Sequence, residues 1–129
     1  MNYTGIIIEE SLQNTSVLKD VKVVSTEVEQ VTESHKTPWI KQWTLHTVEI
    51  DENRAEEVAE KISRSLDQEH SWYADFKTDN IHFIIYRDKV FKVDRTSKEQ
   101  YDQATAYGIS LGIPEYQVDF ATNIKKWER

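Results

Sequence analysis

This sequence predicts an α+β fold with a largely antiparallel sheet and two main helices, and three observations predict it. Valine- and isoleucine-rich runs precede Asp51. The stretch from Ala55 to Leu66 then repeats apolar residues at helical spacing, and three aromatic runs after His70 are separated only by short connections containing Asp or Asn. The expected order is strands, helix, three-strand meander, helix, folded as a single domain over residues 1–129.

The first strand is expected over Tyr3 to Glu9, an apolar β-branched run. Ser11 to Asp20 is polar with isolated Leu12, Val17 and Leu18, which fits a loop or short helix. Val21 to Val31 reads as a strand with Val24, Thr26 and Val28 alternating against Ser25, Glu27 and Glu29, so that one face is wet. Thr32 to Pro38 is loop, because Pro38 cannot donate to a ladder. Trp39 to Ile50 follows as a long strand with Trp43 and Leu45 on one face and Val48 and Ile50 on the other.

Asp51 is placed to cap a helix whose inward positions are Ala55, Val58, Ala59, Ile62 and Leu66, with Glu56, Glu57, Glu60 and Lys61 opposite. The meander comprises Ser71 to Lys77, Ile81 to Arg87 and Val90 to Arg95, joined around Asp79-Asn80 and Asp88-Lys89. The final helix starts near Thr96, where Thr96 with Glu99 or Ser97 with Gln100 can form a capping box. It turns Tyr101, Ala104, Gly108 and Leu111 inward, and Gly112 followed by Pro114 stops it.

Composition narrows the functional classes. The chain has no cysteine, which removes disulfides, thiolate zinc sites and cysteine nucleophiles and suits a reducing, cytoplasmic setting. No basic leader or membrane-length apolar run is seen, so neither secretion nor membrane insertion is expected. The formal charge of -7, from 23 acidic and 16 basic residues, repels phosphate backbones, so nucleic acid is not an expected partner. Lys125, Lys126 and Arg129 around Trp127 read as a solvated tail.

Known chemical signatures are missing. Three glycines, Gly5, Gly108 and Gly112, build neither a Walker-type cradle nor a dinucleotide fingerprint, so no cofactor is expected. His35, His46, His70 and His82 lack the spacing that puts two ring nitrogens on one ion, and no metal site is expected.

One constellation stands out. A two-residue Asp79-Asn80 turn pairs Lys77 with His82, Asp75 with Ile84 and Tyr73 with Tyr86. Tyr73, Asp75, Lys77, His82, Ile84 and Tyr86 then share one face, joined by Phe91, Val93 and Arg95. The opposite face receives Trp72, Ala74, Phe76, Phe83, Ile85 and Val90. Tyr73, Asp75, His82 and Tyr86 are the candidate ligand-binding residues: an orienting carboxylate, a titratable imidazole and phenol donors within reach of one small molecule. In purely structural terms the apolar members pack under a helix, and Asp75, Lys77, His82 and Arg95 form a polar rim. Trp39 and Trp43 offer a pocket wall or simple core anchors.

The strings WYADFK at Trp72 to Lys77, HFIIYR at His82 to Arg87, VFKVDR at Val90 to Arg95 and YGISLGIPEYQVDF at Tyr107 to Phe120 resemble a small family of uncharacterised prokaryotic proteins. The resemblance covers about the last half of the chain. It implies that strands and final helix form one unit, with Gly112 to Tyr116 returning the chain toward the sheet, and it brings no site residue.

The expected function is a cytoplasmic binding or interaction domain whose aromatic sheet face receives a small molecule, a peptide or a second copy of the chain. A homodimer is the expected assembly, because both meander faces carry aromatics. The alternative is a small hydrolase or isomerase with His82 as general base, Asp75 as its orienter and Tyr73 or Tyr86 as donor. A third class is an accessory subunit of an unseen partner.

Overall fold

The first strand, β1 (Tyr3–Ile8), lies in the middle of the sheet rather than at its edge. The structure is a computed structural model that describes residues 2–30, 42–67 and 72–113. After β1 come a 3₁₀ turn at Glu9–Ser11, a second at Thr15–Asp20, then β2 (Lys22–Gln30) and β3 (Gln42–Ile50). Helix α1 (Ala55–Ser65) leads to the meander of β4 (Tyr73–Lys77), β5 (Ile81–Tyr86) and β6 (Lys89–Asp94), and α2 (Lys98–Ser110) follows. This is the expected α+β arrangement: one antiparallel sheet in the order β2-β3-β1-β4-β5-β6, with two main helices.

Because β1 pairs antiparallel with both β3 and β4, those two strands run parallel with β1 between them. The chain crosses from one to the other through α1, a split β-α-β unit. Gly5 permits the close approach of β1 to β4. A methyl group there would overlap the Asp75 carbonyl oxygen and stand 2.5 Å from the Phe76 Cα.

The helices cover opposite faces. On one, Ala55, Val58, Ala59 and Ile62 of α1 and the following Leu66 pack with Tyr3, Ile7, Val48, Ile50, Trp72, Ala74, Phe76, Phe83 and Ile85. On the other, Tyr101 and Ala104 of α2 pack with Ile84, Tyr86 and Val93, flanked by Tyr73 and Phe91. Tyr86 ties to both layers: its hydroxyl donates to the Ala104 carbonyl at 2.7 Å, and its own carbonyl accepts from Ser63 Oγ of α1 at 2.6 Å.

Local signals account for the helix starts. Asp51 accepts from Asn53 N and caps a 3₁₀ turn at Glu52–Arg54 that runs into α1. Ser97 Oγ accepts from Gln100 N, but Gln100 Oε1 turns instead to Asp94 N at 2.7 Å, so half of the expected capping box forms. Gly112 adopts φ +91 after α2 and sends the next residue back: Ile113 is buried against Ile84 and Tyr86.

Three expectations are corrected. The second tight turn is Arg87-Asp88, with Asp88 at φ 60, and not Asp88-Lys89. Tyr86 therefore pairs with Lys89, and Ile84 with Phe91. The change shifts register by two residues, which preserves every face. β2 is exposed at every position rather than on one face, because it is the outermost strand and neither helix reaches over it. An irregularity between Val23 and Ser25 and the charges of Lys22, Glu27 and Glu29 suit such an edge. The first strand ends at Ile8, and Glu9 enters the 3₁₀ turn. Thr32 to Pro38, Trp39, His35, His70, Pro114 to Phe120 and the basic tail, for which the sequence raised expectations, lie outside the described residues. Among the described residues no helix is long and apolar enough to cross a membrane.

Candidate functional site

The β4–β5 hairpin sets the geometry. Thr78 N donates to the Ile81 carbonyl at 2.8 Å, and Thr78 Oγ1 accepts from Asn80 N and Ile81 N, which holds Asp79-Asn80 as a two-residue loop. Asp75 therefore faces Ile84 and Lys77 faces His82, so Asp75 and His82 are diagonal neighbours on one face. His82 Nε2 lies 2.7 Å from Asp75 Oδ2.

Helix α2 completes the arrangement. Tyr101 comes down over β5 with its hydroxyl 3.1 Å from His82 Nδ1 and its ring edge-on to the imidazole. Arg95, just beyond β6, hydrogen-bonds the Tyr101 side chain and donates from Nη1 to the Thr78 carbonyl at 2.7 Å. A guanidinium has no acceptor, so Arg95 donates to the Tyr101 oxygen. In the neutral Nε2–H form of His82, Nδ1 accepts the tyrosine proton and Nε2 donates to Asp75. The four side chains thus form one hydrogen-bonded chain, Arg95 through Tyr101 and His82 to Asp75. Burial raises the Tyr101 hydroxyl above its ordinary value, opposed by the hydrogen bond from Arg95, and so keeps it a donor.

The chain ends at a cavity of about 730 Å³ lined by Thr4, Ile6, Thr47, Asp75, Lys77 and Arg95, among others. It lies where α2, packed over β5, β6 and Tyr73 of β4, leaves β1 and the end of β4 that carries Asp75 and Lys77 uncovered on the same face. Ile6, at 46% exposure, is the uncovered apolar floor. Asn2, Thr78 and Asp79 form further wall.

The four candidate residues separate into two pairs. Asp75 and His82 come together, but only Asp75 lines the cavity, because His82 is fully buried behind it. Tyr73 and Tyr86 pack against one another, ring centroids 6.4 Å apart, within the cluster under α2. The aromatic face that was expected to meet a ligand is occupied by the chain's own helix. The same packing accounts for the aromatics on both faces of the meander, which had been the reason to expect a second copy. Trp43 and Trp72 meet edge to face at 6.2 Å as part of the opposite core.

Sequence reasoning placed Lys77, Arg95 and Tyr101 on the right face but missed Thr4, Ile6 and Thr47. Their signal is the topology, which brings β1 between β3 and β4. It also missed a second histidine pair: His46 Nε2 lies 2.9 Å from Glu9 Oε1, and its Nδ1 2.9 Å from Thr26 Oγ1. Among the described residues no three His, Asp or Glu side chains converge as metal ligands. No family model, curated protein or solved structure matches this chain. The site's chemistry therefore rests on its geometry.

Proposed function

We propose that this chain is a small cytoplasmic binding domain that takes a small polar molecule in the cavity over β1 and β4. The observation that carries this reading is two charged side chains, Asp75 at 7% and Arg95 at 5% exposure, in the wall of one cavity of about 730 Å³. That volume is within the usual range for small-molecule sites, roughly 300–1,000 Å³, and a few fixed polar groups over an apolar floor are what orient a ligand there. The buried chain behind Asp75 supports the reading, since it holds the carboxylate in one orientation before anything binds. The lack of cysteine is the ground for the cytoplasm.

The enzyme alternative takes a different form in this geometry. His82 has both ring nitrogens engaged and no exposure, so Asp75 would be the group that meets a substrate and His82 a positioning residue. A second copy of the chain, as partner, has its remaining apolar ground on β2, where Val23, Val24 and Val28 are exposed.

A thermal-shift screen of small polar metabolites tests the binding reading, with Thr4→Trp as the partner variant. Thr4 is exposed at the cavity edge, so the indole fills the space without removing a charge. Any hit should raise the melting temperature of the wild type and lose that effect in Thr4→Trp. Stabilisation that survives the variant would place the ligand elsewhere.

A further inference from the structure

Building on the cavity as the binding site, we propose that its ligand is a small zwitterion bearing both an ammonium and a carboxylate group, the class of the free α-amino acids. The cavity wall alternates in sign. Asp75 and Asp79 are carboxylates and Lys77 and Arg95 are cations, two of each, so the wall is formally neutral. A ligand with one net charge would leave that charge uncompensated beside Asp75 and Arg95, which are themselves almost wholly buried, and an unpaired charge there is costly. A zwitterion adds two opposite charges, each with a wall group to meet it, and leaves the balance at zero.

Spacing supports the same class. Asp75 and Lys77 are alternate residues of β4, so their side chains rise from one face about 7 Å apart along the strand. A molecule whose charged ends are separated by one carbon bridges such a pair, with its ammonium toward Asp75 and its carboxylate toward Arg95 and toward Lys77, whose buried Nζ turns outward to meet it. Thr4 and Thr47 supply hydroxyls that donate or accept. Ile6 offers an apolar surface for the ligand's side chain. Polyanions suit the site poorly, given the formal charge of -7 on the whole chain.

Calorimetric titration of the full chain tests this with free α-amino acids, their N-acetyl and α-amide counterparts, simple monocarboxylates and monoamines. At least one free amino acid should bind, and capping either end should weaken it by tenfold or more. Asp75→Asn should weaken it as N-acetylation does, and Lys77→Met as amidation does. The capped ligands test the same contacts in the wild-type chain, so the result does not depend on either variant folding. If a capped compound or a simple acid or amine binds as well as the amino acids, the zwitterion is wrong and the cavity remains a binding site. If no compound of any class binds, the zwitterion is wrong, and the cavity reading fails too only if the thermal-shift screen also finds no hit that Thr4→Trp abolishes.

Discussion

His82 and Asp75 stand on adjacent antiparallel strands, offset by two residues from direct pairing, with Nε2 and Oδ2 2.7 Å apart and the imidazole wholly enclosed. Two substitutions in this pair should behave differently. His82→Ala removes the hydrogen-bond partners of Tyr101 and Asp75 together, so denaturant unfolding should show a loss of about 1–3 kcal/mol for the groups left unsatisfied. Asp75→Asn keeps an oxygen that accepts from Nε2–H, and it should cost clearly less while weakening ligand capture tenfold or more. Equal losses in both variants, with no ligand found, would make the pair a part of the core's polar network and nothing more.

Tyr101 is the link to α2, and its alkaline titration reports on that link. Burial raises its hydroxyl above the ordinary value of 10.0, so the folded state keeps the proton that the unfolded chain releases first. Its contribution to stability is therefore complete below about pH 10 and is lost as pH rises through the folded-state value. Tyr101→Phe should flatten the alkaline limb of the stability profile and leave the neutral and acid limbs in shape. Tyr3, raised by burial, and Lys92, raised by its hydrogen bond to Glu56, contribute to the slope that remains.

How much was legible in the sequence follows from which interactions are local. The Asp79-Asn80 turn carries its own chemistry and sets the diagonal of Asp75 and His82 by itself, so that pair was readable from eight residues of chain. The inward positions of α1 were readable from period alone. The cavity was not, because Thr4 meets Lys77 and Ile6 meets Asp75 across more than sixty residues, a pairing that no local pattern specifies. The exposure of β2 was hidden for the same reason: alternation predicts a half-buried strand, and only the sheet order puts that strand beyond the reach of both helices.

The approach of β1 to β4 makes Gly5 a sensitive position. An added methyl would meet the Asp75 carbonyl and the Phe76 backbone, which are held by the sheet and have little room to give. Gly5→Ala should destabilise by about 1–3 kcal/mol or more, as overpacking does in a well-packed interior. It should also weaken ligand binding, since the strand it displaces carries Asp75. A neutral effect on unfolding would mean that the two strands lie further apart than described.

Tyr86 should be less critical than its burial suggests. Tyr86→Phe deletes the hydroxyl's hydrogen bond to the Ala104 carbonyl and leaves its ring contacts in place. Chemical denaturation should report about 1 kcal/mol, the usual net worth of one such bond. Ligand binding should be unchanged, because Tyr86 does not line the cavity.

The most direct measurement of the central claim is the map of backbone amide shifts as a screening hit is titrated into the isotopically labelled chain. Binding in the cavity predicts that changes concentrate at Thr4 to Ile6, at Asp75 to Asp79 and at Arg95, with Tyr73, Tyr86 and β2 quiet. Changes centred on Tyr73 and Tyr86, or spread along β2, would contradict the assignment of the site.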